Sequence, residues 1–213
     1  MKRPFLLYLT IFIQALITLW VLPRWKQSIL PQRLLIVLIL EMCIFGLIQH
    51  LMSINHIRNL WVLSISTLIE FVLIISMFFF WKTKERDRIL LALCVCLFVS
   101  FWLVSKFTFE PFSAFDSFTS TTAKMIYIVI ATTVLFDIQK DSKTRLKTDA
   151  RVWFASGLII YSVVTLLMFA LFNVMLKESP NLVKTIWPFN WLIFIIANLF
   201  YARAIWCPGD TSA

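Results

Sequence analysis

Only three glycines occur in the 213 residues, Gly46, Gly157 and Gly209. That scarcity excludes several chemistries. A phosphate-cradling loop and the tight turn of a G-x-S-x-G serine both need clustered glycine, and neither pattern exists here. No H-E-x-x-H stands ready for zinc. Charged residues are also few, at 15%, where a soluble domain carries about 25%. The cysteines are Cys43, Cys94, Cys96 and Cys207. Three lie in apolar runs, and Cys94 and Cys96, two apart, point to different sides of a helix. Without nearby histidines they read as small buried residues, not as a metal site. No catalytic residue, metal ligand set or cofactor motif emerges, so no enzymatic activity is expected.

Hydrocarbon is what the chain has in excess: 61% of residues are hydrophobic and mean hydropathy is +0.87. Soluble domains are about 45–50% apolar. This composition belongs in a lipid bilayer. The net charge of +9 would suggest nucleic acid in a soluble chain. Here the basic residues sit in short loops between apolar runs, where they orient a membrane protein, and no nucleic-acid partner is expected.

A spanning helix needs about 20 apolar residues. The runs predict a single all-α domain over residues 1–213, a polytopic bundle of seven transmembrane helices. The predicted helices are 5–22, 34–51, 60–81, 89–105, 121–136, 152–175 and 185–206. The first resembles a signal peptide in its basic start, but it ends in Pro23-Arg24-Trp25 and lacks a small-residue cleavage pattern. Seven crossings place the termini on opposite sides. The loops then divide the basic residues thirteen to seven, with Arg24, Lys26, Arg33, Arg203 and the clusters in 82–88 and 137–151 on the richer side. That side belongs in the cytoplasm, so the N-terminus is expected outside and the C-terminus inside, in the cytoplasmic (inner) membrane. Trp20, Trp61, Trp81, Trp102, Trp153, Trp187 and Trp206 fall near predicted helix ends, as an interfacial belt does. The segment 106–124, with five phenylalanines interleaved with Glu110 and Asp116, reads as a long loop that lies among headgroups or lids the bundle.

The third run, LWVLSISTLIEFVLIISMFFFW, carries Glu70 near its centre. It lies ten residues past Leu60, about 15 Å deep at 1.5 Å per residue and near the midplane of a ~30 Å core. Ser66 and Thr67 share its face. Glu41 lies seven residues into the second predicted helix, with Gln49 two turns on. Intramembrane acids are expensive and mark functional sites. No lysine or arginine is expected at matching depth, so polar company must come from Gln14, Tyr161, Asn198 or Ser66. Glu70, Glu41, Gln14, Tyr161 and Asn198 are therefore the candidate ligand or proton site. Helix seven holds no lysine for a retinal Schiff base. Pro188 is placed in that helix's first turn, and no proline is expected mid-helix. The scarcity of interruptions disfavours the broken helices that transporters use.

Two stretches add a resemblance. Thr67-Leu68-Ile69-Glu70-Phe71, and Arg151 through Gly157 to Tyr161, resemble the I-E-[FY] and F-W-x-x-x-G-L-L-I-Y elements of a group of small seven-helix membrane proteins of Bacteroidota. Phe115-Asp116-Ser117 is similar to an F-N-S element of that group, with Asp116 in place of Asn. The resemblance implies a stand-alone version of a sensor membrane module that works beside sensor kinases or regulators. It marks Glu70, Trp153, Gly157 and Tyr161 as family positions without assigning them chemistry.

The leading expectation is a non-enzymatic sensory or accessory module. A signal alters packing around Glu70, and loops 82–88 and 137–151 pass the change to a cytoplasmic or membrane protein partner. The alternative is a small proton, ion or solute transporter or channel using Glu41 and Glu70.

Overall fold

The computed structural model describes residues 5–140, 146–178 and 180–208. Among these the chain is helical throughout its regular structure, with no strand. The helices are α1 (Phe5–Val21), α2 (Leu30–Ile54), α3 (Leu60–Trp81), α4 (Glu85–Thr108), α5 (Ser117–Lys140), α6 (Ala150–Glu178) and α7 (Pro180–Trp206). Each contains a stretch long and apolar enough to cross a membrane. α3 matches its predicted bounds; most others extend past theirs.

The extensions have local causes. α2 begins at Leu30, with Pro31 in the first turn, where its missing N–H would have had no partner anyway. Gln32 then reaches in two directions. Its Oε1 accepts from Ile29 N at 3.3 Å, and its Nε2 donates to the carbonyls of Ala204 and Cys207 at 3.3 and 2.9 Å. One amide thus satisfies carbonyls that the end of α7 leaves open. α2 ends at a turn in which His56 adopts φ 56°. Ile57 N donates to Met52 O there at 2.9 Å, closing the helix C-terminus. α4 takes up most of the predicted charged loop 82–88, because Glu85 and Asp87 suit the first turn of a helix.

Segment 106–124 departs most from its reading as a loop. α4 continues to Thr108 and α5 starts at Ser117, leaving only 109–116 as connection. The hydroxyl-rich start of α5 looked too polar for a span. It is helical because Glu110 receives the amides of Phe118 (2.6 Å) and Thr119 (3.2 Å), capping the helix with a carboxylate. Phe107, Phe109, Phe112 and Phe118 point outward, whereas Phe115 is buried.

α7 starts at Pro180, five residues earlier than expected. Lys184 therefore lies within this helix, although not in its apolar span Ile186–Trp206. Pro188 falls inside the helix rather than in its first turn, so the backbone hydrogen bond its N–H would have donated is missing.

The helices close a ring. α1 packs on α2 and α7, α2 on α3, α3 on α5, α5 on α6, and α6 on α7, with α4 applied to the outside of α3. α4 exposes Leu90, Leu93 and Leu97, and with them Cys96, which is not buried as the composition suggested. α6 and α7 approach closely at Gly157. A Cβ there would stand 2.7 Å from Phe200 Cβ, 3.2 Å from Tyr201 Cε1 and 3.3 Å from Ala197 O. The absent side chain sets the interhelical distance, as small residues do in membrane bundles.

At the end of the bundle holding 82–84, the interior is solid. Phe71, Ile74, Phe78, Leu35, Ile36 and Phe154 are completely buried there. At this end Arg24 lies 3.7 Å over the Trp206 ring, which stacks on Trp20, fastening α1 to α7. The opposite end, holding 55–59 and 109–116, is hollow.

Candidate functional site

The polar face of α3 organises the hollow end. Ser66, Thr67 and Glu70 lie three and four residues apart, hence on one side, and each has a partner on another helix. Ser66 Oγ donates to Glu41 Oε1 on α2 at 2.7 Å. Thr67 Oγ1 lies 3.3 Å from Ser120 Oγ on α5. Glu70 Oε1 accepts from Lys124 Nζ, also on α5, at 2.7 Å.

The last contact corrects the expectation that no cation reaches the acids' depth. Lys124 falls where the expected loop 106–124 overlaps the start of the predicted helix 121–136, near one surface. In the structure it is two turns inside α5, on the seam Ser120, Lys124, Tyr127, Ala131, Val134 and Ile138, all buried. Their spacing alternates four and three, the repeat of a helix packed against its neighbours. That repeat was present in the sequence, and it places a lysine inside. The ammonium also lies 4.5 Å from the Tyr161 ring centre and 5.1 Å from that of Tyr127, so two ring faces share its charge. A pair so enclosed is costly to desolvate and strongly destabilising to break from one side. It joins the Glu70 turn of α3 to the Lys124 turn of α5.

Glu41 is buried. Ser66 serves one of its oxygens, and Oε2 has no hydrogen-bond partner. It lies within electrostatic reach of Glu70 and Lys124. The floor of the hollow therefore gathers two carboxyl groups and one ammonium.

A second ionic cluster sits one turn nearer the 109–116 loop. Lys106 Nζ donates to Asp116 Oδ1 at 2.5 Å and to Glu110 Oε2 at 3.2 Å. All three are buried. Thr119 Oγ1 bonds both carboxylates, and Ser120 Oγ donates to Asp116 Oδ2 at 3.1 Å. Through Ser120 and Thr67 this cluster joins the polar face of α3. Its groups are saturated by one another and by the α5 amides, which makes it a clamp closing the α4–α5 connection. The sequence reading gave these residues no role, although it singled out Glu110 and Asp116 among the phenylalanines. A further sequence signal is the spacing of Lys106 and Glu110, four apart at a helix end.

Above the floor is a cavity of about 430 Å³. α1, α2, α3, α6, α7 and Phe115 contribute to its lining. Glu70, Ser66, Gln14 and Tyr161 line it, whereas Lys124 lies behind Glu70. Eight of the cavity's twenty-five lining residues are Phe, Tyr or Trp. Phe115 stacks on Phe172 at 3.8 Å and meets Trp187 edge-on at 6.2 Å. Tyr161 meets Phe194 at 6.1 Å. Phe115 thus joins the cavity wall, while its four neighbouring phenylalanines face outward. The internal Pro188 stands beside Trp187, Asn190 and Trp191 of the wall.

Of the five candidate residues, four converge. Glu70, Gln14 and Tyr161 line the cavity, and Glu41 is joined to it through Ser66. Gln14 is buried and donates to Ile39 O at 3.2 Å, bracing α1 on α2. Asn198 is not part of the site. Its Nδ2 donates to Phe194 O at 2.8 Å, within its own helix, and it does not line the cavity. His50 lies in the cavity wall, edge-on to Tyr8 at 5.6 Å. Among the described residues, no three or more His, Cys, Asp or Glu side chains are grouped to hold a metal ion.

The chemistry available is binding and charge exchange. A cavity with several aromatic rings in its wall ends in an ion pair that ties α3 to α5. Comparison with protein-family models, curated proteins and solved structures gives no match, so the site itself carries the functional argument.

Proposed function

We propose that the protein is a non-enzymatic sensory or accessory module of the cytoplasmic membrane. A small ligand entering the cavity acts on the Glu70–Lys124 pair, and the α3–α5 contact relays the change to the opposite end. The single observation carrying this reading is that α3 and α5 are tied by charge twice. Glu70–Lys124 joins them beneath the cavity, and Lys82 pairs with Asp137 at the solid end. Lys82 follows the end of α3 and Asp137 lies in the last turn of α5, so both stand at loops 82–88 and 137–151, the surface assigned to a protein partner. Within the second loop, residues 141–145 lie outside the described part.

The basic excess supports an orientation with the solid end in the cytoplasm and the cavity facing outward. The second reading is transport of protons, ions or a solute through Glu41 and Glu70. The proline inside α7 beside the cavity favours it. The packed interior beyond Phe71 weighs against it, because a path would have to open through completely buried side chains.

The test uses spin labels at positions 84 and 140, in the full chain in lipid nanodiscs. Their distance distribution should change in Glu70→Gln, and liposomes should show no pH-dependent flux. An unchanged distribution sinks the relay. Flux abolished by Glu70→Gln establishes transport instead. Cysteine accessibility at these two positions in intact and broken cells reads the orientation.

A further inference from the structure

We infer that the cavity takes a hydrophobic organic cation, an amine or quaternary ammonium with an apolar body, whose charged head sits at Glu70. This rests on reading the cavity as a ligand site and names the class of ligand.

The first argument is the polarity of the ion pair. The Glu70 side chain keeps 13% of its surface accessible and lines the cavity, while Lys124 keeps 4% and lies behind it. An arriving molecule meets the negative end. The second is the sign of the lining. Glu70 is the one Asp or Glu among the lining residues, and Glu41 is buried beneath it, out of the lining. An anion would meet Glu70 with no lysine or arginine among the lining residues to offset it.

The third is the wall. Ring faces attract ammonium groups and also accept apolar bodies, and cages of rings are the common way to hold quaternary ammonium. Tyr161 and Phe194 supply rings next to the floor, and Phe115, Phe172 and Trp187 supply them above. Asn190 Oδ1, in the same wall, is a buried acceptor with no partner. The volume of about 430 Å³ falls within the usual span of small-molecule sites, roughly 300–1,000 Å³.

The experiment follows the fluorescence of the purified full chain in nanodiscs, where Trp187 and Trp191 report on the cavity. Three probes share one phenyl body: phenethylammonium, phenylethanol and phenylpropanoate. The ammonium should bind about tenfold more tightly than the alcohol, and the carboxylate more weakly than both. Glu70→Gln should erase the advantage of the ammonium. Lys124→Met, which removes the internal competitor, should enlarge it. The ranking in the unsubstituted protein decides the question even where a variant fails to fold. Preference for the carboxylate, or an equal ranking, overturns the cation assignment and leaves the cavity as a ligand site of another class. Absence of any response to all three overturns both. Selective ammonium binding without movement at positions 84 and 140 upholds the ligand class and removes the relay.

Discussion

Deleting one partner of the mid-depth ion pair should harm the protein more than deleting both. Lys124 is almost wholly enclosed and Glu70 nearly so, at 4% and 13% side-chain exposure. Removing one member of a buried pair costs about 3–5 kcal/mol, because the other charge is stranded. The two sides are unequal here. In Glu70→Gln the ammonium keeps two aromatic rings and has Glu41 within electrostatic reach, which sets the loss near the lower figure, about 3 kcal/mol. In Lys124→Met two acids remain and no cation, which sets it near the upper figure, about 5 kcal/mol. The double variant keeps a neutral, similarly shaped contact and should lie within about 2 kcal/mol of the starting protein. The coupling read from this cycle should then be several kcal/mol, well outside the additivity expected of independent sites, about 0.5 kcal/mol. The assay is equilibrium unfolding in mixed micelles titrated with a denaturing detergent, followed by tryptophan fluorescence. Single losses that simply add in the double variant would refute the claim that the two side chains act as one unit.

Other outcomes follow from the same physics. Gly157→Ala should cost about 1–3 kcal/mol in that unfolding assay, since its Cβ meets Phe200 Cβ at 2.7 Å and α6 and α7 must separate. Lys106→Met should cost about 3–5 kcal/mol by stranding Glu110 and Asp116; adding Asp116→Asn should recover part of it, and no recovery would show that the clamp does not work through charge. Cys207 is buried and burial pushes its thiol up, so a maleimide should label it slowly at neutral pH in the folded protein and readily once unfolded.

The seven helices of spanning length were legible because uninterrupted apolar runs of that length have few alternatives. The bounds of α3 and the central depth of Glu70 follow from that run alone, and Ser66, Thr67 and Glu70 were correctly placed on one face. Lys124 was missed because hydropathy judges a segment by its average. The start of α5 is rich in serine and threonine, and its window is among the least apolar of the seven. What makes it a helix inside the bundle is distributed elsewhere: the Glu110 cap, the Lys106 clamp and a partner on α3. Pro188 was misplaced for a related reason, since α7 begins in a polar stretch before its apolar run. Asn198 was included as polar company for the buried acids, but its amide donates to Phe194 O within α7 and it does not line the cavity. Local spacing identifies a face, while the neighbour that covers it depends on the ring.

The Gln32 bridge bears on how the molecule is made. Gln32 leaves the ribosome early, yet the carbonyls it needs belong to Ala204 and Cys207, more than 170 residues later. Trp187, Trp191 and Phe194 of the cavity wall arrive with α7 as well. Until α7 docks, the Gln32 amide lacks these two acceptors and the cavity lacks one of its sides.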